Sequence, residues 1–252
     1  MIASLLFGLV IFGPLVSFPS GTHVNSLMLF RVVHIIVGIL WIGLLYFFNL
    51  VAHPFFGDLD APTRARVMPS LMLKALWWFR MSALVTVLSG LAYWGQTVGG
   101  DARAGGGSVG HAMMSFFVIW TAVWAILFVL ICVMKIDNLP LLKVLALAVV
   151  AAASYFYLSL NHHGWESNRM LAIGLGGGMG WVLMLNVWSV VWRFQKKLIR
   201  WTRDLAENGT AMPPQAAALA RQSFLMSRIS AILSLPLLFL MAAASHYVMF
   251  GQ

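Results

Sequence analysis

Residues 27–52 read LMLFRVVHIIVGILWIGLLYFFNLVA. In these 26 residues there is one formally charged side chain, Arg31, and one imidazole, His34. At about 1.5 Å per residue, a helix of this length crosses the roughly 30 Å hydrocarbon layer of a bilayer. Hydrocarbon cannot solvate a histidine ring, so an imidazole inside such a run is costly unless it is paired or used. The stretch predicts a membrane-spanning helix and makes His34 the first residue to question about function.

The rest of the chain has the same character. Of its 252 residues 61% are hydrophobic and 9% charged, with a mean hydropathy of +0.89. That lies outside the range of soluble domains. Further apolar runs at 2–18, 72–95, 111–134, 141–161, 170–194 and 224–250 predict, together with 27–52, one all-α domain. It is a polytopic bundle of about seven transmembrane helices. The run 2–18 is short, contains Pro14 and is followed by a polar stretch. A signal peptide is the alternative, but no basic residue precedes the run and no small-x-small cleavage pattern follows it. A real or partly inserted helix is the expectation.

Charge sets the orientation. Threading these spans puts 13 of the 16 Lys and Arg residues on one side and only Arg31, Arg103 and Arg169 on the other. The positive-inside rule makes the first side cytoplasmic, so the C-terminus is expected in the periplasm of a bacterial inner membrane. The net charge of +9 is then a topology signal that also favours anionic lipid headgroups. The basic residues sit in short loops beside spans, which argues against a nucleic-acid partner. The cytoplasmic stretch 194–223 alternates Trp201 and Leu205 with Lys196, Lys197, Arg200 and Arg203, the pattern of a helix on the membrane surface. The single cysteine, Cys132, permits no internal disulfide and reads as packing. The glycines at 104–107 read as an external turn; no strand precedes them and no Lys-Ser/Thr follows, so they are no phosphate loop.

Five of the seven histidines fall at or just inside the predicted external ends of spans: His34, His111, His162, His163 and His246. His34 lies about two turns below the external surface and His246 about one turn below it. Imidazoles at one depth in a bundle are what a haem or transition metal needs. Haem b explains more of the surrounding sequence than a bare metal does, with His34 and His246 as axial ligands from facing helices. The glycines of the sixth run, among them Gly174, Gly177 and Gly178, would let a flat ring approach backbone, or else let helices pack closely. Arg31 and Arg169 are cationic partners for propionates. His34, His246 and His111 are thus the candidate metal ligands. Copper held by His111, His162, His163 and nearby methionines is the alternative cofactor. His162, His163 and Arg169 are the candidates for proton transfer and anion binding, should the protein be an enzyme.

Three stretches carry a family resemblance: RVVHIIVGILWIGLLYFFN at 31–49, NVWSVVWRFQKK at 186–197 and LPLLFLMAAASHY at 235–247, with ALWWFR at 75–80 in support. Together they resemble the membrane domain of the PuuD-type, cytochrome c-linked urate hydroxylases, over about residues 27–250. The resemblance implies a bundle of seven or eight helices that oxidises a substrate and passes electrons to a c-type cytochrome. It matches His34 and the pair His246-Tyr247. Two family histidines, near Gly174 and near Arg228 to Ser230, have no counterpart. The expected partner is a separate periplasmic c-type cytochrome or a larger respiratory-type complex. A haem b electron-transfer protein is the leading expectation. Oxidation of urate or a related small molecule, and a non-catalytic subunit of a larger membrane complex, are the alternatives.

Overall fold

The computed structural model describes residues 26–250; the run 2–18 and His23 lie outside them. The described residues form eight α-helical segments and three π-helical turns. Helix α1 is Ser26–Tyr46 and passes through a π turn, Phe47–Ala52, into α2, His53–Asp58. Helix α3 is Ala61–Gly105. Helix α4, Val109–Phe128, ends in the π turn Val129–Val133, and α5 is Leu139–Asn161. Helix α6, Asn168–Asn186, runs through the π turn Val187–Val191 into α7, Trp192–Asn208, and α8 is Ala216–Ala243. Six continuous helical stretches are long and apolar enough to cross a membrane. Large apolar side chains cover their outer faces, including Ile39 at 71% exposure and Phe239 at 65%. In water such a surface would be unstable; in lipid it is the ordinary exterior.

The helix ends differ from the hydropathy windows for local reasons. Helix α3 begins at Ala61 because Asp60 caps it, accepting the Thr63 N–H at 3.1 Å, with Pro62 in the first turn. Hydrogen bonds from the Thr63 side chain and backbone hold the exposed Asp60 carboxyl below the usual carboxylate range. The helix ends where Gly106 takes a left-handed conformation, φ 74°, as the glycine-rich turn requires. At 45 residues α3 is about 68 Å long, roughly twice the hydrocarbon thickness, so it projects beyond the layer. The amphipathic stretch after residue 194 is helical to Asn208, a direct continuation of α6 that buries Leu198 and Ile199. Helix α8 stops at Ala243, short of the expected 250, and residues 244–250 fold over the start of α6. Asn168 holds them there. Its side-chain oxygen accepts the N–H groups of Met249 and Phe250 at 2.8 and 3.0 Å, and its amide donates to the Tyr247 carbonyl at 2.7 Å.

Helix α6 is the centre of the bundle: 78% of its apolar window is buried, against 22–44% in the other five stretches. Its glycines divide between two faces. A Cβ on Gly174 would lie 2.2 Å from the Tyr157 hydroxyl, and one on Gly178 would lie 1.9 Å from Trp120 Nε1. These two positions let α5 and α4 close on α6, the small-residue packing that membrane bundles use in place of a hydrophobic drive. Gly176, Gly177 and Gly180 instead line a cavity.

Helix α8 carries a polar stripe, Ser223, Ser227, Ser230 and Ser234, at spacings of four, three and four residues. Each serine meets a polar side chain of another helical segment. Gln195 Nε2 donates to Ser223 at 3.0 Å, Asn49 Nδ2 to Ser227 at 2.8 Å and Asn186 Nδ2 to Ser230 at 3.1 Å. Ser234 gives its own proton to the Ala231 carbonyl, so the Tyr46 hydroxyl donates to Ser234, at 2.9 Å. Asn186 and Ser230 are buried. Ser230→Ala removes the acceptor of a buried amide, and a loss of about 1–3 kcal/mol of stability is expected. Ser227→Ala leaves Asn49 Nδ2 its bond to the Leu45 carbonyl and is expected to cost less. Unfolding of both variants in mixed detergent micelles measures the difference.

Candidate functional site

The central feature is a cavity of about 520 Å³ between α1, α3, α6 and α8, on the half of the bundle that carries the histidines. That is within the range of roughly 300–1,000 Å³ typical of small-molecule and cofactor sites. Its walls are apolar, and six glycines contribute to them: Gly38, Gly43, Gly90, Gly176, Gly177 and Gly180. Trp41 and Trp94, both buried, are wall residues. Trp94 is fixed by a 3.0 Å hydrogen bond from its indole N–H to the Met170 carbonyl and by packing 4.7 Å from the Phe116 ring.

Among the described residues His34 is the one imidazole in the cavity wall. Its Nδ1 lies 2.8 Å from the Thr86 carbonyl oxygen. A carbonyl only accepts, so Nδ1 carries the hydrogen, and in the neutral ring the lone pair is on Nε2. Among the described residues Nε2 has no hydrogen-bond partner. A backbone carbonyl orienting one ring nitrogen while the other is left as a donor is the usual arrangement of a metal-ligating histidine. The Nδ1–Cε1 edge of the ring lies against Gly90, where a Cβ would be 2.8 Å from both atoms. Position 90 must therefore lack a side chain for His34 to reach Thr86.

Arg31, one helical turn from His34, is exposed and lines the same cavity. Of the glycines expected at a cofactor, Gly177 lines the cavity, whereas Gly174 and Gly178 face Tyr157 and Trp120. His246 follows the cavity residues Ala244 and Ser245 directly, but it is exposed in the turn after α8 and is not itself a wall residue. Met241, one turn earlier on α8, is a wall residue, its methyl against Gly176 and Gly177. Met241 carries no signal in the sequence that separates it from the other methionines of the apolar runs.

The other candidates form a second group at the same end of the bundle. Residues 162–167 connect α5 to α6 and pack on the turn after α3, with Trp165 against Gly105 and Gly107. His163 Nδ1 donates to Glu166 Oε1 at 3.1 Å, and the His163 backbone N–H donates to Oε2 at 2.7 Å. His111 Nε2 donates to the Leu160 carbonyl at 2.8 Å. The His111 and His163 rings are 6.3 Å apart. His162 and Arg169 are exposed, and neither lines the cavity. Glu166, buried beneath His163, had no signal in the sequence beyond its being the one acidic residue in this connection.

No family model, no curated protein and no solved structure matches the chain.

Proposed function

We propose that the chain is a haem b redox protein of a bacterial inner membrane, holding the ring in the cavity with His34 as an axial ligand. The observation that carries this reading is His34 itself, an oriented imidazole with a free Nε2 on the wall of an apolar, glycine-lined cavity of cofactor size. Glycine backbone offers a flat surface to a planar ring, and Arg31 at the rim supplies the cation that propionates need. Bound haem supplies one-electron chemistry there. The protein's own part is to fix the His34 tautomer through Thr86, to exclude water with Trp41, Trp94 and Phe116, and to keep the site at one end of the bundle. A c-type cytochrome on the periplasmic face would be the electron partner, as the resemblance to the urate hydroxylase membrane domains suggests. Met241, on the cavity wall, would be the second residue to hold the iron, and low-temperature EPR of the oxidised haem protein would separate a methionine there from a histidine.

The test is electron exchange. Dithionite-reduced protein, freed of excess reductant and mixed with an oxidised c-type cytochrome, is expected to reduce it. A stable reduced haem spectrum that never transfers to the cytochrome would remove the partner from the reading. Gly43→Leu probes the cavity without disturbing the bundle, since a Cβ at Gly43 meets nothing within 4 Å although the residue is a wall residue. Haem content is expected to fall several-fold while thermal stability in detergent stays near wild type.

A further inference from the structure

We propose that His111 and His163 together bind one copper ion at the histidine-bearing end of the bundle, outside the cavity. Each ring has one nitrogen tied to a fixed acceptor: His111 Nε2 to the Leu160 carbonyl at 2.8 Å, and His163 Nδ1 to Glu166 at 3.1 Å. Each therefore keeps the other nitrogen, His111 Nδ1 and His163 Nε2, as a lone-pair donor with no partner among the described residues. The Glu166 side chain is fully buried while that of His163 is 55% exposed. A buried carboxylate orienting an exposed imidazole is the outer-shell pattern that sets the tautomer and raises the basicity of a metal ligand. Both Glu166 oxygens are engaged by His163, so the carboxylate acts as a positioning group and not as a ligand.

The ring separation decides between metals. With a metal–nitrogen bond of about 2.0–2.1 Å, an ion lies about 3.2 Å from each imidazole centroid. Two imidazoles at a tetrahedral angle then have centroids about 5.2 Å apart, and in a line about 6.4 Å apart. The observed 6.3 Å lies within the span one ion can bridge, at its wide end. Tetrahedral zinc needs the rings about 1 Å closer, whereas tetragonal Cu(II) accepts imidazoles at the wide end of that span. Among the described residues no third His, Cys, Asp or Glu joins them, and water would complete the coordination.

The test is a titration of the untagged chain with Cu(II), followed by EPR, with Zn(II) in a parallel arm. The expected result is one Cu(II) per chain, an axial spectrum and superhyperfine structure from two nitrogens. His111→Ala and His163→Ala are each expected to weaken binding by more than tenfold. Glu166→Gln is expected to weaken it about 10–100-fold. His162→Ala is expected to leave it unchanged. The two-nitrogen signature is read on the wild-type protein, so the result stands even if the Glu166 variant folds poorly. His34→Ala is expected to bind copper normally, which separates this site from the haem reading. Failure to bind Cu(II), equal loss in His162→Ala, or tighter binding of Zn(II) than of Cu(II) would each overturn the assignment.

Discussion

Gly178→Ala is expected to cost about 3 kcal/mol or more of stability, enough to deplete folded protein in detergent. The added Cβ would stand 1.9 Å from Trp120 Nε1, 2.0 Å from Cε2 and 2.3 Å from Cδ1. Trp120 has no exposed surface, and an indole ring cannot bend out of the way. Either α4 separates from α6 or the ring leaves its rotamer, and both lie at the costly end of overpacking, about 1–3 kcal/mol and occasionally more. Gly180→Ala is the control on the same helix. Its Cβ would meet Leu237 at 3.6 Å, an ordinary contact, and alanine gains up to about 1 kcal/mol of helix propensity over glycine. Trp120→Phe in the Gly178→Ala background is expected to restore part of the loss, because the two sites are in direct contact. Size-exclusion profiles and thermal unfolding in detergent separate these outcomes. Equal behaviour of the alanines at 178 and 180 would mean that α4 and α6 are not packed as described.

His34→Ala is expected to reduce haem content at least tenfold while the bundle remains folded. The carbonyl left behind is not orphaned, since Thr86 O also accepts the Ser89 hydroxyl at 3.1 Å. The lost contact therefore leaves no buried polar group without a partner, and the defect should be one of ligation. Gly90→Ala gives the sharper test of geometry. Thr86 contributes its backbone carbonyl, which no substitution at 86 removes, so the hydrogen bond must be broken from the other side. A Cβ at 90 would lie 2.8 Å from His34 Nδ1 and push the ring off that carbonyl. Loss of such an outer-shell bond typically costs about 10–100-fold in metal affinity. The expected outcome is weakened haem binding with His34 still present. Unchanged haem content in Gly90→Ala would show that Thr86 does not orient the ligand.

The spans were legible because burial in lipid imposes a compositional rule on every helix, and the runs from 27 onward all recur as helices. Their ends were not, because ends are set by groups that hydropathy ignores. Asp60 and Thr63 start α3 well before its apolar window, and the amphipathic stretch simply continues α6 in polar surroundings. The end of α8 shows the cost of such an error. Helix was expected to residue 250, whereas Asn168 draws the last residues across α6 and leaves His246 exposed in the turn after α8. His34 was legible as an imidazole within an apolar run. Thr86 and Gly90 were not, because their roles arise from α3 lying against α1, a pairing one sequence does not encode locally. The glycines of α6 read as one group, yet the 3.6-residue period divides them between aromatic packing and the cavity wall.

The central claim is that His34 ligates haem in the cavity, and a pyridine haemochrome assay with an optical spectrum tests it most directly. Wild-type protein, purified with haem supplied during expression, is expected to show a Soret band, the haemochrome of haem b and about one haem per chain. His34→Ala, eluting at the same position, is expected to lose that band. A folded wild-type protein with no Soret band, or a His34→Ala protein that keeps it at full intensity, would contradict the claim.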